Sequence, residues 1–420
     1  MLALAALVWA AVSAPNVILI SADTLRADHL GCYGYAYPTS PNLDRLASES
    51  LVFDDMICEV PLTSPSFTSM MTSLPPRMTG ATRNGLALPK DVPTTAEQFR
   101  AAGYETMAVL SNWTLKEHLS GLARGFDAYE DEFHKKRWGI IKAERDADEV
   151  TRIALELLAR RDPVKPLFAW FHYSDPHAPY NLHRDFNPSN DAGKSKARGA
   201  RKAVRYDSEI AYMDHWMGML LDALPKENTF IVFVADHGES LWEHDYLGHG
   251  RRIYHTCLNV PFLVSGPGIG AGRNGAPARG VDVGPTLLGL AGLTRIEGML
   301  GSDLLQDAIP ADRVRVIETY GGAVPKLPGA KNMMADAGPQ RQGVVVEGWK
   351  LILGGSMPEL FYLPEDPLET LNLAAEHPWR VEQLRALITE WDKVTPRRAQ
   401  GREKLSGDDE DALESLGYIK

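Results

Sequence analysis

The stretch NVILISAD, residues 16–23, and its counterpart TFIVFVADH, residues 229–237, decide the architecture. Both are continuous apolar runs rich in β-branched residues, the pattern of strands buried on both faces of a mainly parallel sheet. Each run closes on an aspartate, Asp23 in the first and Asp236 in the second, and His237 follows the latter. In an open α/β sheet, ligands gather beyond the carboxyl ends of the strands. Asp23, Asp236 and His237 are therefore expected on one edge of one sheet.

Strand and helix signals alternate outward from these two runs. Thr39 to Ser50 reads as a helix with Leu43, Leu46 and Ala47 on one face. A helix over Thr95 to Ala102, stopped by Gly103, precedes a strand over Thr106 to Leu110. Ala147 to Arg160 has helical spacing, Pro166 to Tyr173 returns to strand character, and a long helix is expected over Tyr206 to Leu224, with its methionines in the core. Val260 to Val264 adds a further strand. Asn187 to Arg205, rich in Lys, Arg, Gly and Ser, reads as a solvated surface loop. Beyond about Gln340, short strands with tight turns lead into a helix over Pro378 to Trp391. The expected fold is α/β: a large, mainly parallel sheet flanked by helices over 15–335, a small C-terminal α+β subdomain over 340–395, and a tail over 396–420 whose Gly401 to Asp411 stretch is polar, acidic and expected to be mobile.

Composition narrows the function. With 420 residues, the chain is long enough for one large domain with an appendage. Its 44 basic and 55 acidic residues give a net charge of −11, which argues against a nucleic-acid binder, because phosphate neutralisation needs a basic face. Cys32, Cys58 and Cys257 suggest neither a disulfide framework nor a thiolate metal site. The opening MLALAALVWAAVSA, residues 1–14, reads as the apolar core and cleavage site of a secretory signal, so export to the periplasm or exterior is expected; an Ala-rich cytoplasmic N-terminus is the alternative. No later run approaches the roughly 20 apolar residues of a spanning helix.

The chemistry-bearing residues point to a hard cation. Two carboxylates and an imidazole suit calcium, magnesium, manganese or zinc rather than a soft metal. A lone strand-end aspartate is more often a helix cap, but two of them with an adjacent histidine shift the balance. A shared cation would require the two carboxylates within about 5 Å of each other. In PLTSPSFTSMMTS, Pro65 and Ser66 are expected to start a helix, which sets the Thr63 hydroxyl at a positive dipole end. Coordination would turn that alcohol into a nucleophile, although an ordinary N-cap needs no such chemistry, and Ser64 or Ser66 could cap as well.

The order of these segments resembles the sulfatase family of the alkaline phosphatase superfamily. ADTLRADHLGCYGYAYPTSPNLDRLASES is similar to the family's opening strand, loop and first helix. TSPSFTSMMTSLPPRMTG resembles its nucleophile signature, VADHGESLWEHDYLGHGRRIYHTCLNVPFLVSG its second metal strand, and ELFYLPEDPLETLNLA its C-terminal subdomain. Four departures from the family pattern stand out. Thr63 stands where active sulfatases carry a Cys or Ser oxidised to formylglycine, and Phe67 replaces the signature arginine. Ser111-Asn112-Trp113-Thr114 replaces Gly-Lys-Trp-His, and Thr24 replaces the second aspartate of the opening pair.

Threonine nucleophiles occur in relatives that pass through a phospho-threonine. The resemblance therefore implies a metal-dependent hydrolase of sulfate, phosphate or phosphonate esters in which Thr63 attacks. One divalent cation would be held by Asp23, Thr63, Asp236 and His237, and a second is allowed for. His177, in DPHAPY, would serve the leaving oxygen, and His249 would occupy the place of another charge donor, where His244 and His255 compete with it. Asn84 and Asn112 would hydrogen-bond the remaining substrate oxygens. The partner would be an anionic small-molecule or glycan ester. A phosphoryl transferase and a non-catalytic binder of anionic glycans are the rival readings.

Overall fold

A computed structural model of the protein describes residues 14–133, 136–137, 140–141, 144–189, 197, 199–321, 338–398 and 407–415. Nearly all of the expected N-terminal signal lies outside them. The main sheet has eight strands: β1 (Asn16–Ala22), β2 (Leu51–Phe53), β3 (Glu105–Val109), β4 (Ala128–Glu130), β5 (Leu167–Tyr173), β6 (Thr229–Ala235), β7 (Phe262–Ser265) and β8 (Gly272–Asn274). Their spatial order is β8-β2-β7-β6-β1-β5-β3-β4. The β6-β1-β5-β3-β4 half is parallel throughout, whereas β7 runs antiparallel to both of its neighbours, so the sheet is mixed on one side.

β1 sits at the centre and explains why its sequence carries no polar alternation. Val17, Ile18, Leu19 and Ile20 are all fully buried, and each contributes about 1.5–3 kcal/mol of burial. Register then places the chemistry. Ala22 pairs with Ala235 on β6 and with Tyr173 on β5, so Asp23, Asp236 and Ser174 leave three adjacent strands at one level. The Asp236 amide donates to the Ala22 carbonyl at 3.2 Å and the Asp23 amide to the Tyr173 carbonyl at 2.8 Å, extending the ladder into the site.

Helices α1 (Pro41–Ser48), α2 (Thr63–Thr72), α3 (Thr95–Ala101), α4 (Ala147–Arg160) and α5 (Ala200–Ala223) accompany this sheet. α3 begins with a capping box in which Thr94 and Glu97 satisfy each other's backbone amides, and Gly103 follows it at φ +86°, as its role as a stop requires. α5 starts six residues earlier than the expected Tyr206 and takes in part of the supposed loop; residues 190–196 and 198 of that loop lie outside the described structure. The basic composition of this stretch suggests a solvated loop, but Val204 is buried, and its turn of helix packs before the methionine face begins.

The C-terminal sheet is antiparallel: β9 (Arg315–Thr319), β10 (Arg341–Val346), β11 (Trp349–Leu353) and β12 (Glu359–Tyr362). Its first strand lies ahead of the expected boundary at 340, so the subdomain draws on sequence assigned to the catalytic unit. One face packs on α6 (Pro378–Val394) through Val381, Leu384 and Ile388. The other meets Ile57, Cys58, Ile253, Tyr254 and Leu258, which welds the subdomain to the main domain. The polar tail also differs from expectation. Gly407–Ser415 forms a helix, α7, in which Asp409 and Ala412 are buried; the Asp409 carboxylate accepts from Trp113 Nε1 at 3.1 Å and lies 2.8 Å from His118 Nε2.

Candidate active site

Asp23, Asp236 and His237 converge at the end of the sheet, all fully buried, each offering a ligand atom within 4.8 Å of the others. His237 Nε2 lies 3.8 Å from Asp23 Oδ1 and 3.5 Å from Asp236 Oδ2. Those same three atoms are buried with no hydrogen-bond partner. Buried polar atoms are almost always paired, and three orphans facing one point form a cradle that fits a divalent cation.

The remaining lone pairs and protons are committed to the protein, which aims the orphans. Asp236 Oδ1 accepts from the amides of Thr24 at 3.1 Å and His237 at 2.7 Å. His237 Nδ1 lies 2.9 Å from the Gly238 carbonyl, which leaves Nε2 as the ligand atom. Asp23 Oδ2 accepts from Asn112 Nδ2 at 2.6 Å and from Ser174 Oγ at 3.4 Å. Thr24 reaches Asp236 only by adopting a left-handed backbone, φ +55°, which is costly for a β-branched residue. Tyr206 of α5 holds it there: its hydroxyl donates to the Thr24 carbonyl at 2.6 Å and accepts from the Arg26 amide at 2.9 Å.

Burial pushes the Asp23 carboxyl up, while His177 and the Asn112 amide pull it down. Asp236 is raised by burial and by Asp23. Two carboxyls held up by burial and by each other form a pair that a cation would relieve.

Thr63 is the first residue of α2, two positions before the expected start, with Leu62 as its cap. The whole helix is buried, so its position is fixed by packing as well as by hydrogen bonds. Ser66 Oγ donates to the Asp236 carbonyl at 2.7 Å, which ties the first turn to the segment that carries Asp236 and His237. The Ser64 amide donates to Asn84 Oδ1 at 2.9 Å, and Ser64 Oγ donates to the Thr114 carbonyl at 2.7 Å. Asn84 is thus a brace of the first turn of α2, with its Nδ2 buried beside it and carrying no hydrogen-bond partner.

Asn112, expected as a substrate contact, spends its side chain on the protein. Its amide goes to Asp23, and its carbonyl accepts from the Thr114 amide at 2.9 Å and the Thr114 hydroxyl at 2.8 Å. The reason is register: β3 ends just before it, beside β5, so the side chain reaches the ligand carboxylate first.

Two further histidines, His177 and His249, flank the cradle. His249 lies 4.4 Å, ring to ring, from His237 and 5.2 Å from His177. His249 Nδ1 is 3.2 Å from the buried Glu239 carboxylate. Its competitors sit elsewhere: His244 stacks on Tyr254 and reaches the Leu368 carbonyl, and the amide of His255 is bound by Glu369. Burial and His177 hold His249 well below the usual imidazole range. His177 is also buried, which would lower it, yet Glu144 at 2.8 Å, Asp23 and Glu239 raise it to about 10.

Phe67 explains what became of the arginine expected at its position. It is fully buried, 5.0 Å from Trp170 and edge-on to His172 at 4.9 Å. His172 in turn accepts or donates through Ser21 Oγ at 3.0 Å, to which Trp170 Nε1 donates at 2.8 Å. Burial drives His172 down to about 3, so the ring is neutral. An apolar plug with a neutral imidazole thus replaces a cation behind Asp23.

Glu144, Glu239, His172, Ser174 and Tyr206 were not singled out from the sequence. Glu239, two residues after His237 in ADHGES, had a local signal; Glu144, in a basic stretch, had none.

The family described as Sulfatase matches residues 15–293. Among curated proteins, the chain is 29% identical over 363 residues to an ulvan-active sulfatase of Formosa agariphila, covering 75% of this chain and 70% of that protein. It is 26% identical over 443 residues to a choline-sulfatase of Rhizobium meliloti, covering 88% and 84%. Among solved structures, the phosphonate monoester hydrolase of Agrobacterium radiobacter superposes with a TM-score of 0.75 at 20% identity, covering 94% of this chain and 98% of that one, a likeness of fold.

Proposed function

Because the chain belongs to the sulfatase family of ester hydrolases, we propose that it hydrolyses an anionic ester through covalent attack by Thr63, with a divalent cation in the Asp23–Asp236–His237 cradle. The observation that carries this reading is the set of three orphaned ligand atoms beside the first turn of α2. Calcium, magnesium, manganese or zinc bound there would act as a Lewis acid that lowers the pKa of the threonine hydroxyl.

The protein's own groups do the rest. Ser64, Ser66 and Asn84 lock the turn that carries Thr63, so little orientational freedom remains to be lost at reaction. The α2 N-terminus favours negative charge on the attacking oxygen and on the anionic centre. His177, held charged, gives its proton to the departing oxygen, and in the second displacement it takes a proton from the attacking water. His249, kept neutral, orients against Glu239 and faces the same space. The Thr63 proton passes to solvent as the hydroxyl is activated, and the threonine oxygen takes a proton back from solvent when water displaces it.

Threonine cannot form the formylglycine aldehyde, and Phe67 cannot supply the arginine charge. Both favour a phosphonate or phosphate ester over sulfate, in line with the fold shared with a phosphonate monoester hydrolase. Sulfated glycans are the competing substrate class, supported by the ulvan-active relative. The N-terminal apolar run, residues 1–14, supports export. Among the described residues, no helix is long and apolar enough to cross a membrane.

The test is a panel of aryl phosphonate, phosphodiester and sulfate esters assayed with each of the four cations. Turnover of at least one class, dependent on cation, is expected. No turnover of any ester with any cation, in protein shown to bind metal, would transfer the assignment to a non-catalytic glycan binder.

A further inference from the structure

We propose that Glu144 is the positioning residue for leaving-group protonation, holding the His177 ring by Nδ1 so that Nε2 delivers the proton. The inference rests on the reading of His177 as the acid given above.

The geometry is built from two directions. Glu144 Oε1 lies 2.8 Å from His177 Nδ1, with the His177 side chain 1% exposed and that of Glu144 15%. The backbone of Glu144 pairs antiparallel with Asn112, the residue whose amide grips Asp23. The next residue is strapped down: the Arg145 amide donates to the Ser111 carbonyl at 2.8 Å, and Ser111 Oγ donates to the Arg145 carbonyl at 2.7 Å. The Arg145 guanidinium donates to the carbonyls of Leu110 at 2.8 Å, Glu130 at 2.6 Å and Glu132 at 2.5 Å. Two residues further on, the Ala147 amide donates to Asp175 Oδ1 at 2.9 Å, so residues 144–147 hold both ends of the Asp175-Pro176-His177 turn. The ring is therefore set by the same backbone that sets Asn112 and, through it, Asp23.

A carboxylate at Nδ1 does two things for an acid. It fixes which nitrogen faces the reaction, and its negative charge at 2.8 Å favours the protonated ring. In the step itself, the bond from phosphorus or sulfur to the leaving oxygen breaks as the bond to Thr63 Oγ1 forms. The proton passes from His177 Nε2 to the leaving oxygen, and the other proton stays on His177 Nδ1, paired with the Glu144 carboxylate 2.8 Å away. Water then displaces the threonine oxygen and gives one proton back to Nε2.

A merely structural ion pair would weaken every substrate alike when removed, whereas a partner of the acid matters only where the leaving group needs a proton. Single-turnover rates of cation-loaded wild type, Glu144→Gln, Glu144→Asp and His177→Ala are compared on esters of nitrophenol, phenol and an alkyl alcohol. Glu144→Gln is expected to lose less than about threefold on the nitrophenyl ester and about 100-fold on the alkyl ester, with Glu144→Asp recovering much of the difference. An equal loss on all three esters, or none, with His177→Ala still selective for poor leaving groups, would overturn the role of Glu144 alone. A leaving-group-independent His177→Ala would overturn the acid assignment beneath it.

Discussion

Asn112→Ala isolates the support of the cation cradle from the cradle itself. The wild-type amide donates to Asp23 Oδ2 at 2.6 Å, and the next contacts of that oxygen, Ser174 Oγ at 3.4 Å and His172 Nε2 at 3.9 Å, are too long to replace it. A hydrogen bond to a charged group contributes about 1.5–3 kcal/mol. At about 1.4 kcal/mol per decade, cation affinity should fall by about 10- to 100-fold, which is also the range seen when second-layer ligand partners are removed. The fold should lose far less, because the other bonds of Asn112 cap a single short turn at Thr114, worth about 1 kcal/mol. Calorimetric titration of metal-free protein with manganese and zinc gives the first quantity, and urea unfolding without metal gives the second. A dissociation constant within twofold of wild type, in a variant as stable as expected, would refute the claim that Asn112 aims Asp23 at a cation.

Other outcomes follow from particular buried groups. Burial raises the Glu59 carboxyl to about 7 from an ordinary 4.5. The stability linked to its protonation is thus fully present below about pH 4.5 and lost as pH rises through about 7, a swing of about 3 kcal/mol; in urea melts the stability of wild type relative to Glu59→Gln should therefore fall between pH 5 and 8, and parallel profiles would count against it. Phe67→Ala should cost about 3–5 kcal/mol by opening a cavity against Trp170 and His172; a loss below about 1 kcal/mol in thermal or urea unfolding would mean that the plug does not pack as described. Removing residues 407–420 should uncover Trp113, whose Nε1 is bound by Asp409, and raise its fluorescence quenching by acrylamide, whereas unchanged quenching would contradict docking of α7.

The main sheet was legible because strands buried on both faces carry apolar cores without alternation, as residues 17–20 and 230–235 do, and each run leads into the aspartate whose chemistry mattered. The cradle was legible for the same reason: strand ends set Asp23 and Asp236 side by side. What escaped was carried by contacts without periodicity. Glu144 lies in a basic stretch far in sequence from His177, and nothing local marks it as that residue's neighbour. Asn112 was read as a substrate contact because its sequence slot suggested one; only the pairing of β3 with β5 shows that Asp23 is within its reach. Arg315–Thr319 has a single short apolar core, too weak a pattern to claim for the second sheet before its partners are known. The tail looked solvated by composition, yet one buried carboxylate meeting Trp113 and His118 was enough to dock it.

The central claim is that the Thr63 oxygen is the attacking atom, and kcat/KM of cation-loaded Thr63→Ala on the best aryl ester tests it most directly. The account predicts a fall of about 10,000-fold or more with cation affinity still measurable, in line with the loss of a covalent nucleophile. Turnover within tenfold of wild type, by protein with the cation bound, would contradict it.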